Sequence, residues 1–208
     1  MTIKPGITTL IFDFGGVIIN LDLNLCIQNL KHAGALDVEK YLSNYGQSGF
    51  FLQWEKGEIN LAEFRNAVRS ISVSNPDDKT IDDAWCSFLQ DIPEDRIRLL
   101  EKLKTKYRLL LLSNSNPLHI EVSGKNEFNK YGYEIGDLFE KAYISYELGL
   151  TKPDPAIFNY ILTDLNIRPE ECLFLDDGEK NIRTASEMGF ETYLVTQGEN
   201  LDKLFDIL

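Results

Sequence analysis

Five candidate strand segments are the feature of this sequence that most restricts its fold, and they lie at residues 7–12, 108–112, 141–145, 172–175 and 191–196. Polar or glycine-rich clusters follow three of them, namely Asp13-Phe14-Gly15-Gly16, Ser113-Asn114-Ser115-Asn116 and Asp176-Asp177-Gly178. The strongest of these segments are continuously apolar, which is typical of strands that are buried on both faces, as in a parallel sheet. The sequence therefore predicts a parallel sheet in which aspartate, serine, asparagine and glycine residues follow three of the strands.

Stripes of apolar residues at helical spacing separate the predicted strands. One stripe runs over residues 157–165, after an N-cap at Asp154 and a first-turn proline at Pro155. A last stripe, closing the chain, consists of Leu201, Leu204, Phe205 and Leu208. Strands that alternate with helices predict an α/β fold, with a doubly wound, mostly parallel, five-stranded Rossmann-like core.

Residues 21–92 differ from the rest because they contain no convincing strand. Asn60 and Glu63 have the spacing of a capping box, and further helical stripes follow. We therefore predict two domains: a core of residues 1–20 and 93–208, and a small helical domain of residues 21–92 inserted into it.

Three carboxylates are expected to meet at one edge of the sheet. In open α/β sheets ligands bind at the carboxyl ends of the strands, where Asp13, Asp176 and Asp177 would converge. Clustered carboxylates repel one another and need a cation, and a small set of hard oxygen ligands suits Mg²⁺. Strand-end aspartates that merely cap the next turn are the alternative.

Other polar residues at these strand ends could hold a phosphate group. Lys152 lies between Thr151 and Pro153, and it could neutralise a nucleophilic carboxylate and bind a phosphate oxygen. Ser113 and Asn114 could bind further phosphate oxygens, although ordinary turn residues would look the same. Gly15 and Gly16 would let the backbone approach whatever Asp13 attacks.

The bulk properties favour a small anionic substrate over a polymer or a membrane. The formal net charge is −12, and no basic patch offsets it, so nucleic acid and anionic membrane surfaces would be repelled. No apolar run reaches the roughly 20 residues that cross a bilayer. The three cysteines are far apart, which suits a reducing cytoplasm. We expect a monomer or a weak homodimer.

Taken together, the motifs resemble the haloacid dehalogenase superfamily of aspartyl-nucleophile phosphatases. The four matching segments are residues 11–17, 111–114, 149–155 and 173–177, and residues 21–92 lie where that family places its helical type-one cap. The resemblance implies that Asp13 forms an aspartyl-phosphate. It also implies that Mg²⁺ binds Asp13, Asp177 and the Gly15 carbonyl, and that it binds Asp176 either directly or through water. Ser113 and Lys152 would bind the phosphoryl oxygens.

One position departs from the family pattern. Most phosphatases of the family have a second aspartate, a general acid and base, at the position of Gly15. A glycine there resembles the α-D-glucose-1-phosphate phosphatases, whose leaving group needs an acid less, and His119 is a weak candidate for a substitute acid. A metal-independent 2-haloacid dehalogenase and a non-catalytic binding or regulatory protein of the same fold remain alternatives.

The predicted cap should decide substrate choice, since the core supplies only phosphate chemistry. Trp54 and Glu55 are our candidates for residues that face the substrate. Alternatively, Tyr45, Phe51 and Trp54 pack inside the cap, which is the commoner position of aromatic side chains.

Overall fold

The sheet of the computed structural model has the predicted architecture. The structure describes residues 3–43, 46–196 and 198–205. Within these residues all strand pairs are parallel, in the spatial order β3-β2-β1-β4-β5. The five strands are β1 (Thr9–Phe12), β2 (Arg108–Ser113), β3 (Lys141–Ile144), β4 (Cys172–Asp176) and β5 (Glu191–Leu194). The predicted α/β fold, with a five-stranded Rossmann-like core, is confirmed.

Helices connect the strands throughout the described residues. The α-helices are α1 (Leu23–His32), α2 (Gly49–Glu55), α3 (Leu61–Ser70), α4 (Asp78–Cys86), α5 (Glu94–Leu103), α6 (Lys125–Asn129), α7 (Ile135–Leu138), α8 (Ser145–Leu148), α9 (Pro155–Leu165) and α10 (Glu179–Glu187). A π-helical segment, Leu118–Gly124, leads into α6, and 3-10 turns lie at Val38–Lys40, Pro169–Glu171 and Leu201–Lys203. The last turn contains the start of the C-terminal apolar stripe, and Leu208 lies outside the described residues.

Side chains of the central strands alternate between two buried layers. Leu10 and Phe12 of β1 pack on one face, whereas Ile11 packs on the other. Neighbouring β2 does the same, with Leu109 and Leu111 on the first face and its alternate leucines on the second. Burial of both faces explains why these strands read as continuous apolar runs.

Local capping fixes the helix starts that the sequence predicted. The Asn60 side chain accepts a hydrogen bond from the Glu63 N–H at 3.1 Å, and the Glu63 carboxylate accepts one from the Asn60 N–H at 2.8 Å. Asp154 accepts from the Ala156 N–H at 2.9 Å, with Pro155 in the first turn of α9. Such caps satisfy backbone N–H groups that a helix cannot pair internally.

The inserted helices pack around a hydrophobic cluster of their own. Its largest members are aromatic, among them Phe51, Trp54 and Trp85. The two chain crossings between insert and sheet run side by side, with the Gln90 N–H bonded to the Asn20 carbonyl at 2.8 Å. The domain boundaries themselves stay a prediction, and Tyr45 lies outside the described residues. No described helix has the length and apolar character that a membrane span requires.

Candidate active site

The carboxyl ends of three adjacent strands bring the predicted residues together. Phe12 is paired with Leu111 of β2 on one side and with Leu175 of β4 on the other. Asp13 therefore follows the central strand between Ser113 and Asp176, and its N–H donates to the Leu175 carbonyl at 2.8 Å. A parallel register places all three side chains at one edge, as the sequence predicted.

Lys152 is the buried cation of this edge. Its Nζ lies 2.8 Å from Oδ1 of Asp13 and 2.6 Å from Oδ2 of Asp176, and it donates to the Leu112 carbonyl at 3.0 Å. The Lys152 side chain is only 1% exposed. Burial lowers the pKa of Lys152, but Asp13 and Asp176 more than offset this and hold it above its usual value. The lysine is thus charged and aimed at Asp13.

The three carboxylates carry more negative charge than Lys152 can balance. Asp13, Asp176 and Asp177 each offer an oxygen, and these oxygens lie within 4.8 Å of one another. Burial raises the pKa of Asp13 well above its usual range, with Lys152 opposing and the two other aspartates adding to the rise. Burial, then Asp176, raises the pKa of Asp177 to about 6. A divalent cation with a preference for oxygen ligands would relieve this repulsion, so the donor set fits Mg²⁺.

Both carboxylate oxygens of Asp176 already have hydrogen-bond partners within the protein. Its Oδ2 accepts from Lys152, and its Oδ1 accepts from the Gly178 N–H at 2.7 Å and from Nδ2 of Asn181 at 2.9 Å. Asp176 therefore fixes Lys152 and the turn that carries Asp177, which agrees with a metal contact through water. Asn181 was not among the predicted site residues, because an asparagine at the start of a helix is commonly exposed and its contact with Asp176 depends on this turn.

Gly16 permits the close approach of Asp177. Its φ is +73°, and a Cβ there would lie 2.4 Å from Oδ2 of Asp177. By contrast, Gly15 has an ordinary φ, and a Cβ there would lie 3.1 Å from the flexible tip of Leu21. Gly15 therefore lacks the φ that requires glycine, and the three atoms nearest to a Cβ there all belong to the Leu21 side chain, which would have to shift by a few tenths of an ångström.

The two residues of the second motif have different surroundings. Ser113 is buried and lines the cavity beside Asp13. The Asn114 side chain is occupied by the backbone of Lys152: Oδ1 accepts from its N–H and Nδ2 donates to its carbonyl, both at 2.8 Å. Asn114 thus fixes the segment that aims Lys152, while phosphate binding by Ser113 and Asn114 stays a prediction.

His119 is suited to packing and poorly suited to proton donation. Its ring stacks on Trp85 at 4.6 Å between centroids, and its Nε2 lies 3.1 Å from the Trp85 carbonyl. Because a carbonyl only accepts, Nε2 carries the hydrogen. Burial lowers the pKa of His119 to about 4, so the ring is neutral near pH 7. The candidacy of His119 as substitute acid finds no support in this geometry.

The two cap candidates lie in different environments. Trp54 is 1% exposed and stacks on Phe64 at 3.7 Å between centroids, inside the hydrophobic cluster of the inserted helices. Glu55, the next residue, lines the same cavity as Asp13 and Lys152. The volume of this cavity is about 80 Å³. The structure therefore brings Glu55 to the site and does not bring Trp54 there.

Comparisons with known proteins agree with this geometry. The family model of the haloacid dehalogenase-like hydrolases matches residues 7–189. The D-ribitol-5-phosphate phosphatase of Bacteroides thetaiotaomicron is 34% identical over 192 residues, which are 92% of this chain and 93% of that protein.

Solved structures with the same fold include enzymes of that family. A HAD family enzyme from Bacteroides thetaiotaomicron, an aspartate-to-alanine variant in complex with magnesium and inorganic phosphate, has a TM-score of 0.92 at 43% identity, covering 95% of this chain and 98% of that one. A HAD-like hydrolase from Porphyromonas gingivalis has a TM-score of 0.88 at 34% identity, covering 95% of each chain.

Proposed function

This chain belongs to the haloacid dehalogenase-like hydrolases, as one of their phosphatases, and we propose that it hydrolyses a small sugar or polyol phosphate through an aspartyl-phosphate on Asp13. The observation that carries the proposal is the contact of Lys152 Nζ with Asp13 at 2.8 Å, beside two further carboxylates. A carboxylate nucleophile, a buried lysine beside it and a cluster of carboxylate oxygens that could hold a metal ion are together what phosphoryl transfer requires.

Each residue of the site has its own role in the proposed reaction. An oxygen of Asp13 attacks phosphorus in line, while the Lys152 ammonium balances charge on the phosphoryl oxygens. The Ser113 hydroxyl donates a hydrogen bond to one of those oxygens. Water then hydrolyses the aspartyl-phosphate and frees Asp13. Asn114 and Asp176 act by holding Lys152 in place.

Mg²⁺ is the cofactor, and Asp13, Asp177 and the Gly15 carbonyl would hold it, with Asp176 reached through water. When bound, it supplies positive charge that stabilises the phosphoryl group as negative charge shifts between its oxygens. The same cluster argues against a metal-independent dehalogenase, because Asp176 and Asp177 would then stay crowded without a cation.

The shape of the site favours a substrate with a small polar body. The cavity of about 80 Å³ is suited to a phosphoryl group, and a broader groove of about 860 Å³ adjoins it. Residues shared by both spaces include Leu21, Gln47 and Asn181. Polar groups and backbone line the groove beside Asp177, which suits a hydroxylated chain. D-Ribitol 5-phosphate, the substrate of the relative, and α-D-glucose 1-phosphate are the two candidates.

The test is phosphate release from a panel of sugar and polyol phosphates, with and without Mg²⁺. We expect Mg²⁺-dependent release, and the preferred compound distinguishes an anomeric ester from a terminal one. Halide release from a 2-haloacid, resistant to a chelator, would overturn the proposal in favour of a dehalogenase. Failure to hydrolyse any phosphate ester would favour a binding protein.

A further inference from the structure

The missing acid at Gly15 leaves the leaving group without a proton donor from the first motif. Alkoxide is a poor leaving group, and general acid help typically contributes roughly 10²–10⁴-fold to such reactions. His119 does not supply this proton, because its ring is neutral and its Nε2 hydrogen is engaged by the Trp85 carbonyl. A donor must come from another wall of the cavity.

Glu55 has the position that such a donor requires. It ends α2, in the inserted helical domain, and lines the cavity that Asp13 and Lys152 also line. The residue is only 6% exposed. Its carboxyl group makes no hydrogen bond to any residue in the described part of the chain. A buried, unpartnered carboxyl group in a phosphate-sized cavity is therefore available to a ligand.

Buried contacts to the core hold Glu55 in place. The Glu55 carbonyl accepts a hydrogen bond from Oγ of Ser145 at 2.5 Å, and the same Oγ accepts one from the Ser115 N–H at 2.9 Å. Gly57, with φ +67°, packs so closely on α8 that a Cβ there would lie 2.2 Å from the Tyr146 carbonyl oxygen. These contacts tie the end of α2 to the strand edge that carries the second motif.

We propose that Glu55 is the general acid that protonates the leaving oxygen and the general base that then activates water, in place of the aspartate absent at Gly15. Asp13 approaches phosphorus from the sheet and Glu55 from the inserted helices. An in-line attack by Asp13 places the leaving oxygen on the side of phosphorus opposite Asp13. Among the described residues that line the cavity, Glu55 is the ionisable residue that the insert supplies. The inference rests on the proposed phosphatase function.

The protons balance over one turnover. As the bond from Asp13 oxygen to phosphorus forms and the ester P–O bond breaks, the neutral Glu55 carboxyl group gives its proton to the departing alcohol. The resulting carboxylate takes a proton from water, whose oxygen attacks the aspartyl-phosphate. Phosphate leaves, Asp13 is free, and Glu55 is again protonated.

The charge state of Glu55 suits this role near neutral pH. Burial raises the pKa of Glu55 to about 8, although the Lys152 ammonium opposes the rise. The other titratable groups that line the cavity are Asp13, Asp177 and His119. Negative charge on either aspartate would favour the neutral form of Glu55, and a neutral imidazole would leave it unchanged. Glu55 is thus protonated where the acid step needs it, and this availability is lost as pH rises through about 8.

The test compares the wild type with Glu55→Gln on two esters. One is whichever sugar or polyol phosphate the panel identifies, and the other is 4-nitrophenyl phosphate, whose leaving group needs no proton. We expect kcat/KM for the alkyl ester to fall roughly 10²–10⁴-fold, and that for the aryl ester by less than tenfold. Because the base is also lost, the variant should release nitrophenolate in a burst equal to the enzyme concentration.

Further variants and pH profiles separate an acid from a merely structural residue. Glu58→Gln, an exposed glutamate in the same segment, should leave both substrates unaffected. Glu55→Asp should retain part of the alkyl-ester activity. Wild-type kcat/KM for the alkyl ester should decline as pH rises through about 8, and Glu55→Gln should lack this limb.

Three outcomes would overturn the inference. Equal losses on both esters would make Glu55 a substrate-binding or structural residue, and so would an alkaline limb that persists in Glu55→Gln. An unchanged Glu55→Gln would remove any role. A wild type that hydrolyses no ester would instead overturn the proposed function, and the proton donor with it.

Discussion

Replacing Glu55 by Gln should stabilise the folded protein, and increasingly so as pH rises. Burial raises the pKa of the Glu55 carboxyl group from 4.5 to about 8. In the unfolded chain the group ionises freely near pH 4.5, whereas in the folded chain it must stay protonated. The stability that the neutral carboxyl group contributes is therefore complete below pH 4.5 and is lost as pH rises toward 8.

The size of the effect follows from the separation of the two pKa values. Between them, each pH unit costs the folded wild type about 1.4 kcal/mol relative to a chain without this group. At pH 7 the accumulated cost is on the order of 3 kcal/mol. About 2 to 3 kcal/mol of it develops between pH 5 and pH 7, since part of the ionisation has already begun at pH 5. Glutamine has nearly the same shape as glutamic acid, and its amide group does not ionise in this pH range.

Urea unfolding of wild type and Glu55→Gln at pH 5, 6, 7 and 8 measures this difference. Comparing the two proteins at each pH cancels the titration of all other groups, and comparing pH values cancels the fixed effect of the amide. Glu58→Gln, at an exposed position three residues away, is the matched control and should show no pH-dependent difference. A Glu55→Gln difference that is constant from pH 5 to pH 8 would refute a buried, protonated Glu55.

Other predictions concern the sheet edge. Asp13→Asn should abolish turnover. The fold should be retained, because Lys152 keeps its contact with Asp176 at 2.6 Å. Phosphate release and circular dichroism test this, and activity within tenfold of wild type would refute the assignment of Asp13 as nucleophile. EDTA should remove activity and Mg²⁺ restore it without unfolding, and turnover that resists the chelator would contradict the metal site. Gly16→Ala should weaken Mg²⁺ affinity roughly 10–100-fold, since its Cβ would displace Asp177. Gly132→Ala is its control, with a similar φ of +79° and open space around the Cβ; equal Mg²⁺ affinities in the two variants, measured by titration, would contradict the steric argument. Adding Gly15→Asp to Glu55→Gln should recover part of the alkyl-ester kcat/KM, because it returns a carboxyl group to the first motif at a position without a positive φ, where the atoms nearest to a Cβ belong to the Leu21 side chain. No recovery would argue that proton transfer is not what the Gln variant lacks.

The strand ends could be predicted because a parallel sheet imposes a strong geometric rule. Once Asp13 and Asp176 are placed after neighbouring apolar strands, the register leaves them little freedom to be apart. Lys152 follows the same rule less directly, since it lies in a loop. Asp176 and the Leu112 carbonyl bind its ammonium group, and the Asn114 side chain holds its backbone. The sequence indicated the lysine but contained no signal for these contacts.

The inserted helices were harder to predict at the level of single residues. Trp54 and Glu55 are adjacent, and successive positions on a helix point about 100° apart. Trp54 turns into the aromatic cluster, as the apolar spacing with Phe51 could have indicated, and Glu55 then faces the edge of the cluster. Whether that edge meets solvent or the sheet depends on how the insert docks. In the structure the Ser145 hydroxyl donates to the Glu55 carbonyl at this junction, and no periodicity in the sequence encodes that contact.

The composition of the site also explains why Glu55 can stay neutral beside a lysine. A charged Glu55 would add a further carboxylate to the crowded edge where Asp13, Asp176 and Asp177 already share Lys152. Lys152 is paired with Asp13 and Asp176, so its attraction for Glu55 is smaller than the penalty of burial. A cation held by the three aspartates would balance their charge, and Glu55 is not part of that carboxylate cluster. The arrangement thus separates the charged groups, which we propose to bind the phosphate and the metal, from the neutral Glu55 carboxyl group on the insert, which still carries the proton that a general acid donates.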